Sequence, residues 1–301
     1  MRTTSIYYNR AFDSYLRNGG DRTSLTDLVE GYNESTDSYQ FPQGFRGDYA
    51  DALAKENLFR RLSTIVDVSN GDGKIQAVTS TAIAELVPEG AAFDEQSDTF
   101  SNITFKAYKL ASLAKLYVNF VLDKDFELQQ YLKTDFARRF GRREEQLLLN
   151  GTGVDQPTGL LTSAEVGKQM PELTYDSIID LFFSLKPEYR KNAVWLVNDT
   201  TALALRKLKD DSGAYLWDQS SDTLLGRPVE YSMYIPDIAA GNKPIAFGDL
   251  SYYWLLQREP LYIKLLQEKY LLQGMLGFAA HERIDGKLVR PEAVKTLEIT
   301  A

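Results

Sequence analysis

The sequence predicts an α+β fold in two folded parts, on three observations. A long amphipathic helix runs from Asp123 to Asn150. Two β-rich runs, 74–87 and 103–120, flank an acidic polar stretch. Beyond residue 173, strand-like and helix-like segments alternate, which marks a separate α/β unit. The length of 301 residues sets a prior of about two domains. Hydrophobic residues, at 44%, are enough to fill real cores.

Taken in order, residues 1–48 read as an arm. Tyr7, Tyr8, Phe12, Tyr15 and Leu16 are aromatic or apolar, yet Gly19, Gly20, Gly31 and the polar run 33–38 break any core. Such a segment drapes over a neighbour or stays unfolded. A short helix is expected around Thr26–Val29. From Asp48 to Val68 a helix runs into a strand, and 70–73 is a turn. In the second β run, Ala114, Leu116, Val118 and Phe120 alternate with Leu113, Lys115, Tyr117 and Asn119. That period of two signals a half-buried strand. Two ribbons joined by a polar tip make a hairpin that cannot stand alone in water.

In the long helix, Phe126, Leu128, Leu132, Phe136, Phe140 and Leu147 form an apolar stripe. Lys133, Arg138, Arg139, Arg142, Arg143 and Glu144 fill the other faces, and Asp123 and Asp125 suit the first turn. Asn150-Gly151 stops the helix through a left-handed cap. At ~1.5 Å per residue the rod is roughly 40 Å long. Gly141 costs about 1 kcal/mol inside it. It marks either the close approach of a neighbouring backbone or a bend. The loop 151–161 has glycines but no Lys after any of them, which excludes a phosphate-binding loop.

Further on, Thr174 caps a helix with Ile178, Ile179, Phe182 and Leu185 inward, and Pro187 lies at its end. Residues 193–197 read as a buried strand. Asn198 or Asp199 caps the next helix, and 210–213 turns the chain. Residues 247–249 open a return through strands at 251–257, 261–266 and 275–280. A last strand runs from Arg290 to Thr300.

Little chemistry is on offer. With no Cys and one His, the chain cannot build thiolate or His/Cys metal sites. His281, beside Glu282 and Arg283, reads as structural, and no Gly-x-Ser-x-Gly elbow supplies a nucleophile. No catalytic residue, cofactor or metal is expected. No apolar run is long enough to span a membrane, and the N-terminus lacks a signal-peptide apolar region. A net charge of −8 argues against tight DNA binding.

The segment EEQLLLNGTGVDQPTGLL, from Glu144 to Leu161, resembles the end of the spine helix in tailed-phage major capsid proteins of the Hong Kong 97 type. AFDSYLRNG at 11–19 resembles their N-terminal arm, and residues 88–112 their extended loop. Residues 193–217 and 224–232 resemble the axial domain, and 247–259 its exit. These pieces are collinear over nearly the whole chain.

The resemblance implies an arm at 1–48 and an extended loop at 73–111. It implies a peripheral domain from 49–72, 112–172 and 249–283, with the spine at 123–150. An axial domain would comprise 173–248 and 284–301. It implies a shell of pentamers and hexamers enclosing double-stranded DNA without reading its sequence. The shell sits in the virion, is assembled in the host bacterial cytoplasm, and has scaffolding, portal and decoration proteins as possible partners. Because the arm motif begins by Ala11, scaffolding is a separate protein, already removed, or absent.

Subunit contacts are then expected at Phe12, Tyr15, Leu16 and Arg17 of the arm. Glu85, Glu89, Asp94, Glu95 and Asp98 of the loop would face Arg138, Arg139, Arg142 and Arg143 of a neighbouring spine. Asp218, Gln219, Ser220, Ser221 and Asp222 form the axial loop, and Gly141 is a candidate spine bend. Some relatives join subunits by Lys–Asn isopeptide bonds. Here no Lys lies between Ile75 and Phe105 and no Asn follows Asn242, so no cross-link is expected. An encapsulin-like compartment is the nearest alternative, and an α/β enzyme a remote one.

Overall fold

The aromatic residues near the N-terminus find cover within their own chain. The computed structural model describes residues 3, 5–19, 22–42, 46–68, 72–80, 86, 99–209, 212–217 and 222–300. Helix α1 (Ile6–Asn18) starts at Ser5, whose hydroxyl accepts from the Tyr8 amide, and ends at Gly19 with φ 85°. Tyr8, Ala11, Phe12, Tyr15 and Leu16 fall on one helical face and are all buried. The expectation that this segment cannot bury itself is corrected. Gly19 caps a helix rather than breaking a core. After α2 (Arg22–Asp27), the polar run 33–38 turns the hairpin of β1 (Tyr32–Asn33) and β2 (Ser38–Gln40). Asn33 Oδ1 accepts from both the amide and the hydroxyl of Ser35 there.

Helix α3 (Arg46–Glu56) stops at Asn57, whose side chain accepts from the Phe59 amide and caps α4 (Leu58–Leu62). Strand β3 (Thr64–Asp67) follows. β4 (Asp72–Ser80) and β5 (Thr99–Lys106) pair antiparallel with each other alone. The run expected to extend as one strand to Phe120 breaks at Ala107 and ends sooner. β6 covers Tyr108–Tyr117, and Phe120 lies in a short helix, α5 (Val118–Leu122). Alternation holds within β6, where Ser112, Ala114 and Leu116 face inward.

The spine, α6 (Leu128–Asn150), has 23 residues, roughly 34 Å at ~1.5 Å each. It begins later than the sequence suggested. Asp123 and Asp125 lie in the preceding turn, where the Asp125 amide donates to Asp123 Oδ1 at 3.0 Å. Leu128, Leu132, Phe136, Phe140 and Leu147 are buried as expected. Lys133 and Glu144, expected on outer faces, are buried too, because α3 and α4 cover that side. The helix is continuous through Gly141. A Cβ at Gly141 would sit 2.9 Å from Glu56 Cβ and 3.6 Å from Leu53 Cδ2. The glycine is a notch for α3. Gly151 is not left-handed either (φ −59°). Its missing side chain admits the Pro157 carbonyl, which a Cβ would meet at 2.2 Å.

Past the spine come α7 (Leu160–Ser163) and β7 (Glu165–Met170). In α8 (Tyr175–Ser184), Thr174 accepts from the Ser177 amide, and Ile178 and Leu181 are fully buried. α9 (Pro187–Arg190), the wholly buried β8 (Val194–Val197) and α10 (Asp199–Arg206) follow. Of the two possible caps of α10, Asn198 is the one used, 2.7 Å from the Thr201 amide. The remaining strands are β9 (Thr223–Leu224), β10 (Arg227–Tyr231), β11 (Ile245–Gly248), β12 (Tyr253–Leu266), β13 (Met275–Leu288) and β14 (Val294–Ile299).

Two six-stranded sheets result. The peripheral sheet runs β1-β2-β12-β13-β6, with β3 parallel to β12. The axial sheet runs β7-β14-β11-β8-β10-β9. Glu165–Met170, assigned from sequence to the peripheral part, therefore belongs to the axial sheet, and 284–288 to the peripheral one. One core lies between α1, the first half of the spine and the peripheral sheet. A second covers one axial face with Trp195, Trp217 and Phe247. A third joins the spine's end, Leu148 and Leu149, to the other axial face through Leu196 and Ala246.

Gly141→Ala tests the notch. Helix propensity favours Ala by about 1 kcal/mol, while overpacking a tight contact costs ~1–3 kcal/mol. A net loss of about 1 kcal/mol in denaturant unfolding is expected; a gain would show that α3 yields freely.

Candidate assembly interface

Arg17 is the arm's polar anchor. Its guanidinium donates to the carbonyls of Val121 and Asp123 at 2.7 Å and of Phe126 at 2.9 Å. It also pairs with Asp13 at 2.9 Å. These carbonyls belong to the turn that delays the spine, so arm and turn hold each other. Tyr15 accepts from the Leu265 amide at 2.9 Å, and burial pushes its hydroxyl up to about 12. Tyr8 donates to the Gln40 carbonyl at 2.7 Å. Phe12 and Leu16, expected at a subunit contact, are fully covered by their own chain. Ile6 and Tyr7 of α1 turn outward.

The four spine arginines line up on the exposed face, as their spacing implied, and each has a partner in its own chain. Arg142 pairs with Glu56 at 3.1 Å, and Arg138 reaches the same carboxylate at 3.9 Å. Arg139 pairs with Asp135 and donates to the Leu113 carbonyl, both at 2.9 Å. Arg143 donates to Gln146 at 2.7 Å. Exposed pairs of this kind contribute about 0–1 kcal/mol each, so the arginines are readily available to another acid. Glu85, Glu89, Asp94, Glu95 and Asp98 lie outside the described residues, as do 218–221 of the axial loop. Asp222 is described and pairs with Arg206 at 2.7 Å, beside the Trp217 ring.

The β4–β5 ribbon leaves the body at a defined root. Asp285, 1% exposed on β13, accepts from the Lys106 amide at 2.9 Å. Arg283, two residues earlier, donates to the Ala107 carbonyl at 3.2 Å. Beyond the root, the ribbon's eight residue pairs, from Asp72↔Lys106 to Ser80↔Thr99, gain no third strand among the described residues.

Sequence reasoning missed an apolar end of the peripheral sheet. Between β12 and β13, residues 268–273 form a single-turn helix closed by Gly274 (φ 63°), which exposes Leu271 and leaves Leu272 wholly uncovered. The Gly274 carbonyl accepts from the Val118 amide at 3.0 Å. Tyr117, Phe120 and Leu122, each more than half exposed, therefore lie at the same end. Contiguous exposed apolar surface marks an interaction site. A Leu pair just before a turn glycine was the available signal. Among the described residues, no group of three or more His, Cys, Asp or Glu side chains could hold a metal ion. No described helix is long and apolar enough to cross a membrane.

A family model described as the phage capsid family matches residues 38–299. The chain belongs to the phage capsid family. Solved structures agree. The capsid protein of a native GTA particle is 28% identical, covering 81% of this chain and 90% of that one, with a TM-score of 0.68. The Microbacterium phage Oxtober96 structure is 15% identical over 80% and 90%, with a TM-score of 0.60. A satellite phage P4 procapsid that includes a size determination protein is 12% identical over 93% and 98%, at 0.57. The last two show the fold alone. No curated protein matches the chain. It is a structural protein of the Hong Kong 97 type, a major capsid protein that builds the virion shell.

Arg17→Met removes the anchor and keeps the stem. Charge-assisted hydrogen bonds contribute ~1.5–3 kcal/mol, so a loss of about 2–3 kcal/mol is expected. Protease cleavage near residues 19–22 should quicken. An unchanged cleavage rate would show that the apolar face alone holds α1.

Proposed function

We propose that the subunits close into pentamers and hexamers and form an icosahedral shell around double-stranded DNA, held without Lys–Asn cross-links. The observation that carries this is the ribbon. A two-stranded hairpin is marginal in water on its own, and among the described strands β4 and β5 pair only with each other. A neighbouring subunit supplies the missing surface. The loop's acidic side chains, Glu85, Glu89, Asp94, Glu95 and Asp98, meet a neighbour's Arg138, Arg139, Arg142 and Arg143. Rim pairs of this kind set register more than affinity.

Heterologous contacts repeat around rings of either size. The axial loop 218–222 lies at the ring centre, where small polar residues tolerate both geometries. A net charge of −8 keeps the inner wall from gripping packaged DNA. Isopeptide chemistry needs a Lys toward the loop's tip and an Asn in the return strands, yet no Lys lies between Ile75 and Phe105 and no Asn follows Asn242. Apolar burial replaces the bond, with Leu271, Leu272 and Phe120 among the contacts. Scaffolding, portal and decoration proteins complete the particle, which assembles in the bacterial cytoplasm. The protein acts by assembly and catalyses nothing.

Size-exclusion chromatography and negative-stain microscopy test the reading: shells are expected, and a small discrete oligomer would refute it. Leu271→Asp with Leu272→Asp should cut the assembled fraction roughly tenfold, equivalent to ~1.4 kcal/mol. The subunit's own unfolding should move by no more than about 0.5 kcal/mol, since both side chains are exposed. Mature particles boiled in detergent should give one band at monomer mass. A ladder would reveal covalent joining.

A further inference from the structure

A buried acid lies between the spine and the sheet, within reach of a second buried acid and a buried tyrosine hydroxyl. Glu282, midway along β13, is 1% exposed, and neither carboxyl oxygen makes a hydrogen bond. The Tyr49 hydroxyl is likewise buried and lies close enough to Glu282 to interact with it, though among the described residues neither group makes a hydrogen bond of ordinary geometry. Every element packed around Glu282 contributes one facing group. α6 offers Glu144, which is fully buried, α4 offers Arg60, and α3 offers Tyr49. β6 offers the apolar Leu110, opposite Glu282 in register. β12 offers the uncharged Gln257, whose Oε1 accepts from Arg60 at 2.6 Å. His281 and Arg283, the strand neighbours, point to the other face.

Arg60 commits its fork to one of the two acids. Its Nε donates to Glu144 Oε2 at 2.9 Å, and a second nitrogen donates to Oε1. Asn57 adds a third bond to Glu144 at 2.8 Å. Two buried carboxyl groups thus share a single guanidinium, and Glu144 holds it. Beside Arg60 and Tyr49 lies a cavity of about 420 Å³, lined also by the charged Asp67 and Arg258 and by Phe41, Leu53, Gln257 and Leu261. It gives Arg60 room to move and water a way in.

We infer that Arg60, Glu144 and Glu282 form a proton-controlled joint between the spine helix and the peripheral sheet. With Glu282 protonated, Arg60 stays on Glu144 and the joint is shut. When that proton leaves to solvent, two buried carboxylates compete for one guanidinium that can fork onto only one of them. α4 and the spine then part from β13. Burial pushes the Glu282 carboxyl well above the usual carboxylate range, Glu144 pushes it further, and Arg60 offsets this only in part.

A raised folded-state pKa means that the native state binds the proton more tightly than the unfolded chain does. The stability is whole below the ordinary glutamate range and is lost as pH rises through the folded value. The joint therefore opens on the alkaline side. Opening reaches the ribbon, because Arg283 and Asp285 hold its root on the same strand. The joint lies within one chain and stands whatever shell the chains build.

Hydrogen exchange across pH on the full-length protein, corrected for intrinsic amide chemistry, reads the opening directly. In the wild type, opening of α4, of residues 141–148 and of the Lys106 amide should rise about tenfold per pH unit while one proton is released. The axial strand β8 should stay flat. Glu282→Gln, which cannot ionise, should be flat throughout. A flat wild type, or a variant as steep as the wild type, overturns the joint. Should Glu282→Gln fail to fold, infrared spectroscopy of the wild type decides. A protonated-carboxyl C=O band present at neutral pH and vanishing with the opening supports the joint. Its absence at neutral pH overturns it.

Discussion

The spine helix has to satisfy two cores at once, and the rest of the subunit follows from that. Its first half, Leu128 to Phe140, packs under the arm and the peripheral sheet, while Leu148 and Leu149 pack against the axial domain. A helix buried on so many sides cannot send every charge to solvent. Buried charge is tolerated only when paired, and the surrounding elements supply the partners. Asp48 of α3 meets Lys133, and Arg60 and Asn57 meet Glu144. The Leu58 amide and the Ser232 hydroxyl both donate to Glu145. That last pair matters for the whole subunit, since Ser232 follows β10 and ties the axial part to the spine. Burial raises the Glu145 carboxyl, and the two hydrogen bonds work against that shift.

Arm and ribbon solve the same problem in opposite ways. The arm carries enough apolar surface on one helical face to pay its own ordering entropy on its own body. The ribbon does not, because its strands are two and its tip is polar. A folded arm and an unsupported ribbon thus sit in one chain. The Leu271–Leu272 turn is likewise uncovered. Side chains this apolar and this exposed are a liability in a monomer and useful at a contact.

Where periodicity dominated, the sequence was easily read. The spine stripe, the β6 alternation, the unbroken apolar run of β8 and the start of the helix after it, though not which of Asn198 and Asp199 caps it, all came from local spacing. What escaped was tertiary. Nothing in the order of residues says that Arg17 reaches three carbonyls a hundred residues away and so delays the spine to Leu128. Lys133 and Glu144 looked solvated because charge is usually solvated, and only α3 and α4 overrule that. Gly141 and Gly151 were legible as special but not as to why. Both serve close approach, by Glu56 and by the Pro157 carbonyl; the sequence offered that reading for Gly141, alongside a bend, and for Gly151 only a cap. The loop acids and most of the axial loop lie outside the described residues, so the interface is legible chiefly from its spine side.

Strand β13 shows how the subunit divides its labour by parity. Residues of one face, Leu276, Phe278, Ala280, Glu282, Ile284 and Gly286, turn toward the cores. One acid in that apolar row is the anomaly from which the joint was inferred. At Gly286 an added Cβ would meet Leu148 Cδ2 at 2.5 Å, so the glycine is what lets the spine's end close on the sheet. Residues of the opposite face include Arg283 and Asp285, which hold the ribbon's root. A shift of the spine pushes on one face of this strand, and the ribbon hangs from the other. With successive side chains on opposite faces, a displacement of β13 cannot move one without the other. Such a mechanical link between spine and ribbon lies within six consecutive residues, from Ala280 to Asp285.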